Sequence, residues 1–187
     1  MVGVVGVVGV VGVVGEQLSG RSPVGRLGGN LPDVGGGVGR RVEPELRHAA
    51  VVALGELGRS RDYRDRADAG RGLAGFAEMQ QALGPLLELV LDPGDTFVTR
   101  VTTEALLRRR DRAGLATVAS ALAVADPNHG DWIHTAVADV FSIFSDDRDD
   151  AIRLCEELSQ DADDRVARGA RRLHELLAEI DPILRPA

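Results

Sequence analysis

This chain has no lysine, one cysteine and few aromatic side chains, the last making up 3% of its 187 residues. Every basic residue is therefore arginine, which excludes Lys-based covalent catalysis. Cys155 has no second thiol to meet, so an internal disulfide and any multi-cysteine metal site are excluded as well. Cysteine usage of this kind points to a reducing cytoplasm, and a lone Cys on an amphipathic pattern reads as a small buried side chain. Apolar runs are short too. Residues 2–15, built from Gly-Val-Val, are too few and too glycine-rich to span a bilayer, which needs about 20 apolar residues. No basic residue precedes them and no small-x-small cleavage site follows before Glu16, so an export signal is not supported.

The composition is uneven along the chain. Thirteen of the 23 glycines precede residue 40, and GEQLSGRSPVGRLGGNLPDVGGGVGRR continues the Gly, Pro and Ser density of an unstructured leader. Residues 1–42 carry four Arg against two acids, a net of +2, and the remainder carries 18 Arg against 27 acids, a net of −9. An acidic domain opposes non-specific attraction to phosphate backbones. The division that follows is a leader over 1–42, a folded domain over 43–180 and a tail over 181–187. A chain beginning at Arg41 should therefore melt with nearly the same midpoint as the full one.

Within the folded part a pattern recurs about every 34 residues. LLELVLDPGDTFVTRVTTEALL (86–107), ASALAVADPNHGDWIHTAVADVF (119–141) and RLCEELSQDADDRVARGARRLHEL (153–176) each give an apolar helix, an Asp-rich bend and a second amphipathic helix. The bends start at Asp92, Asp126 and Asp161. Such a period is the signature of stacked helical hairpins, since one hairpin cannot bury its apolar faces alone. The second helices place Val98, Val101, Thr102, Ala105 and Leu106 on one face, then Ile133, Ala136, Val137, Val140 and Phe141, then Val166, Gly169, Ala170 and Leu173. Asp95, Asp131 and Asp163 or Asp164 stand where a carboxylate caps those helices. Upstream, Pro44 suits the first turn of a helix carrying Leu46, Ala49, Ala50, Ala53, Leu54 and Leu57. Residues 61–79 read as a weaker helix, with Gly84-Pro85 as the break before the next.

LLELVLDPGDTFVTRVTTEALL and ELRHAAVVALGELG resemble HEAT repeats, specifically the short bacterial type also called phycobilisome-lyase-like repeats. The resemblance covers roughly residues 43–180 and implies an all-α solenoid of about four stacked antiparallel hairpins. It departs where the bend lengthens at DPNHGDWI, shortens at DADDRV, and where 59–84 form no clean repeat. The shared positions are core positions, so the function expected rests on the array itself: stacked hairpins present an extended surface formed by the outward faces of successive second helices, which suits a non-catalytic scaffold that binds an unidentified protein, without cofactor or metal. On the outward face of the second helices, by subtraction from the buried positions, lie Thr99, Thr103, Thr135, Asp139, Arg168 and Arg172.

Catalytic relatives of this repeat class set tests that the sequence does not meet. A di-iron hydroxylase of the class needs several His-Glu pairs, and only His174-Glu175 occurs here. A base-extruding glycosylase needs a basic face with aromatics, against the single Trp132 and an acidic domain. No residue set marks a tetrapyrrole pocket. The alternative of a cryptic enzyme or small-ligand site rests on His129, Asp131, His134 and Asp139, the nearest polar cluster. A nucleic-acid-binding array rests on Arg108, Arg109, Arg110 and Arg112 alone, which read first as a solvated helix end. SDDRDD (145–150) lacks the spacing of a calcium loop and reads as a polar connection capping the next helix.

Overall fold

The computed structural model of the chain describes residues 38–184, with 38–42 as backbone alone, so leader residues 1–37 lie outside the described residues, and the boundary expected between 42 and 43 falls inside the first helix. Among the described residues eight helices follow one another: α1 (Val38–Leu57), α2 (Tyr63–Ala74), α3 (Gln80–Val90), α4 (Thr96–Leu107), α5 (Arg112–Leu122), α6 (Pro127–Phe141), α7 (Ser145–Leu158) and α8 (Asp164–Ala178). They form stacked antiparallel hairpins, an all-α solenoid. The only β pairing among the described residues is an isolated parallel bridge between Phe144 and Leu184.

Capping explains most of the helix starts. Asp62, Asp95, Asp111, Asp126 and Asp163 each accept a backbone N–H from the first turn that follows. Such a bond satisfies one orphan donor and places a negative charge at the positive helix end. Asp126 takes the role expected of Asp131. Pro127 fits the first helical position behind an Asp cap, so α6 begins there and DPNHGDW is its opening turns, not a bend. SDDRDD is likewise not a connection but the start of α7, where Asp146 and Asp147 sit in the first turn.

Two prolines are absorbed inside helices where the sequence suggests a start and a break. Pro44 lies well within α1, and Pro85 within α3. The break instead falls at 75–79. Helix α3 continues through Gly84-Pro85 because Ala82, Leu86, Leu89 and Val90 bury one face at helical spacing. Burial of those side chains, at about 1.5–3 kcal/mol for each large one, exceeds the cost of the backbone bond a proline cannot donate.

The rows of the solenoid are unequal. Helix α4 lies between α2 and α6, its most extensive neighbours, and buries Val98, Thr99, Val101, Thr102, Thr103, Glu104, Leu106 and Leu107. Helices α1, α3 and α5 form the second row. The regular order breaks at the last hairpin, where α8 packs chiefly on α5 and only slightly on α6. Gly169 makes this possible, because a methyl group there would overlap the Ala119 carbonyl of α5. At the other end, Leu46, Val52 and Leu57 of α1 remain exposed.

Candidate protein-binding groove

Helix α3 carries a second apolar stripe beside its buried one. Leu83 and Leu87, with Leu91 at the helix C-cap, recur every four residues and are only half-buried. Across from them Ala113, Ala116, Thr117 and Ser120 line α5, and the first turn of α8 closes the side with Asp163, Arg165 and Val166. The groove between these helices has a volume of about 650 Å³. It continues past Gly84, Leu87 and Arg165 into a second hollow of about 400 Å³ that reaches Glu88, Leu91 and Pro93.

The two walls differ in charge. Glu78 and Glu88 stand on the α3 side, Arg112 and Arg165 on the other, beside Asp163, whose carboxylate caps α8. Glu78 pairs with Arg47 and with Arg109 at 2.9 Å, and Arg112 with Asp161 at 2.7 Å. Glu88 and Arg165 have no oppositely charged partner among the described residues, and Arg165 Nε donates to the Ser120 carbonyl at 2.8 Å. At Gly84 a Cβ would meet no atom within 4 Å. The fold itself therefore does not require glycine there, although a helix-interior Gly costs about 1 kcal/mol relative to Ala. Gly84→Ala is accordingly expected to raise stability by about 1 kcal/mol and the melting midpoint by about 2–4 °C. Calorimetry checks this, and a lowered midpoint would refute it.

The residues singled out by subtraction do not form one face. Thr99 and Thr103 are fully buried, because α4 has a neighbour on each side, and Thr103 Oγ1 donates to the Thr99 carbonyl at 2.8 Å. These two cannot meet a partner. Thr135, Asp139, Arg168 and Arg172 are exposed. Asp139 pairs with Arg100 of α4 at 2.8 Å, and Arg172 donates to the Leu122 carbonyl at the end of α5 at 3.1 Å.

The polar cluster on α6 is similarly dispersed. His129 is engaged by Asp126 and by the Asp92 carbonyl, Asp139 by Arg100, while Asp131 and His134 are exposed. No group of three or more potential ligands among the described residues is arranged to hold a metal ion. Arg108, Arg109, Arg110 and Arg112 are each neutralised, by Glu104, Asp111, Asp147 and Asp161. Cys155 is buried in α7, and burial pushes its thiol up to about 12, which leaves no thiolate for chemistry near neutral pH.

A chain of polar contacts ties successive bends together. Arg66 of α2 donates to Asp92 at 2.6 and 3.0 Å and to the carbonyls of Ser60 and Arg61. Asp92 also accepts from the backbone of Gly94 and Asp95. Its carbonyl lies 3.1 Å from His129 Nε2, and Asp126 lies 2.9 Å from Nδ1. Burial works against a charged His129, but the Asp92 carbonyl and the Asp126 carboxylate outweigh it and raise its pKa. A raised folded-state pKa means that this contribution is complete below the unfolded value of about 6.5 and is lost as pH rises through the folded value. Unfolding measured from pH 5.5 to 8.5 should show that decline in the parent and a flatter profile in His129→Gln. Equal slopes would rule the contribution out.

No family model and no curated protein matches the chain. Among solved structures, an engineered protein determined by crystallography is similar at 19% identity, with a TM-score of 0.32, over 74% of this chain and 66% of that one. No described helix is long and apolar enough to cross a membrane.

Proposed function

We propose that this chain is a non-catalytic scaffold of the HEAT-repeat kind, which binds another protein through the groove between α3, α5 and the start of α8. The observation that carries the reading is the paired stripe of half-buried apolar side chains, Leu83, Leu87 and Leu91 facing Ala113 and Ala116, between walls of opposite charge. Concave apolar surfaces framed by a few polar groups are where proteins hold partners. Many of the ionisable groups elsewhere are engaged in structural roles: Asp residues cap helices, and the Arg run is taken up by carboxylates. Such a scaffold works by holding, and the acidic domain disfavours nucleic acid as what it holds.

The test places a photo-crosslinking residue at Ala116 in the groove and, separately, at Thr135 on α6, in the full chain expressed in its own cells. A discrete adduct formed from position 116 and not from 135 is expected. Absence of any adduct from 116 would overturn the reading. Elemental analysis of the untagged protein adds an independent check, since stoichiometric iron or zinc would favour an enzyme instead.

A further inference from the structure

We infer that the occupant of the groove is an amphipathic α-helix of the partner, laid along the α3 and α5 stripes with its closest approach at Gly84; this rests on the scaffold reading above. Three features converge on a helix. The floor is formed by side chains at helical spacing on two neighbouring helices, Leu83, Leu87 and Leu91 on one and Ala113, Ala116 and Ser120 on the other. Rows of that kind accept the ridge of a third helix. The stripe from Leu83 to Leu91 spans about 12 Å at 1.5 Å per residue, enough for two turns to dock.

Gly84 supplies the second feature. It lies in the wall of both hollows, and nothing in the fold occupies the space its side chain would take. A glycine whose own domain does not need it, placed on a groove wall, is suited to close backbone approach by something that docks there. The third feature is charge. Glu88 and Arg165, on opposite walls, have no ionic partner among the described residues, and Asp163, which also lines the groove, is turned to the α8 backbone as its N-cap. An incoming helix with basic residues on one flank and acidic ones on the other satisfies both, whereas a uniformly acidic or uniformly basic segment satisfies one and repels the other. An extended segment gains less, because the floor offers no strand edge to pair with.

The probe is a displayed library of helical peptides about 16 residues long, roughly 24 Å, with leucine fixed at i, i+3 or i+4, and i+7 and all other positions random, selected against the full chain. Binders are expected to carry Lys or Arg on one flank and Asp or Glu on the other. Anisotropy titrations should then show affinity falling about tenfold or more in Gly84→Leu, equivalent to about 1.4 kcal/mol, with no fall in melting midpoint. Glu88→Arg should weaken binding and select peptides that are acidic on both flanks. A central proline in the peptide should abolish binding.

The inference is overturned if no selected peptide loses affinity in Gly84→Leu, if Pro-containing variants bind equally, or if selection yields no binder. Such results leave the scaffold reading standing when position 116 still crosslinks in cells. They fall together with it only when that adduct is also absent.

Discussion

Replacing Gly169 with leucine should lower the stability of the chain by about 3 kcal/mol or more, at the upper end of what overpacking costs. The site where a Cβ would sit is occupied by the backbone of Ala119, and a backbone cannot rotate aside as a side chain can. Even Gly169→Ala should be destabilising despite alanine's better helix propensity. The contrast with Gly84→Ala, for which a gain is expected, makes the pair a test of environment, since the residue change is the same. Urea unfolding of the three variants decides the matter. A Gly169→Ala midpoint equal to or above the parent's would show that α8 does not seat on α5 as described.

Asp92→Ala carries the second large effect. The carboxylate is 5% exposed and the Arg66 side chain 14%, so its removal strands a mostly buried guanidinium. Breaking such a pair from one side costs about 3–5 kcal/mol. Two backbone donors, at Gly94 and Asp95, lose their acceptor as well. The double variant Arg66→Leu, Asp92→Leu should recover part of the loss, by removing the stranded charge, but not the part owed to the turn. Burial opposes ionisation of Asp92, yet the Arg66 bond and the backbone donors win and hold its pKa below the usual range. Its stabilisation is therefore present above about pH 4 and lost as pH falls through the lowered value. Acid unfolding of Asp92→Asn should lack that component. Full recovery in the double variant would refute the role given to the turn.

The sequence revealed those parts of the fold that depend on local periodicity. Val98, Val101 and Leu106, Ile133, Ala136 and Val137, and Ala170 and Leu173 are all buried where the 3.6-residue spacing puts them. Helix limits were less legible. Asp126-Pro127 and Gly84-Pro85 are both breaker-like pairs, but the first starts a helix and the second lies inside one, and the difference comes from which side chains find a core. Thr99 and Thr103 illustrate the same limit: a polar residue opposite an apolar face reads as outward, but α4 has neighbours on both sides. The groove left a legible trace in Leu83, Leu87 and Leu91, a stripe additional to the core face. That α8 meets α5 left none, because Gly169 looks locally like any small packing residue and only the tertiary arrangement assigns it a neighbour.

That contact between α8 and α5 also bears on how the chain comes apart. In a regular stack each hairpin touches only the next, so opening spreads from either end with similar ease. Here α8 reaches back to α5 and fastens the last hairpin into the middle of the stack, while α1 holds on by one side and leaves Leu46, Val52 and Leu57 in water. The free energy of local opening therefore rises from α1 toward α4, α5 and α8. Among the described helices the stack is therefore expected to open from the α1 side first, with α3, which carries Gly84 and Pro85 in its middle, next in line and α8 last.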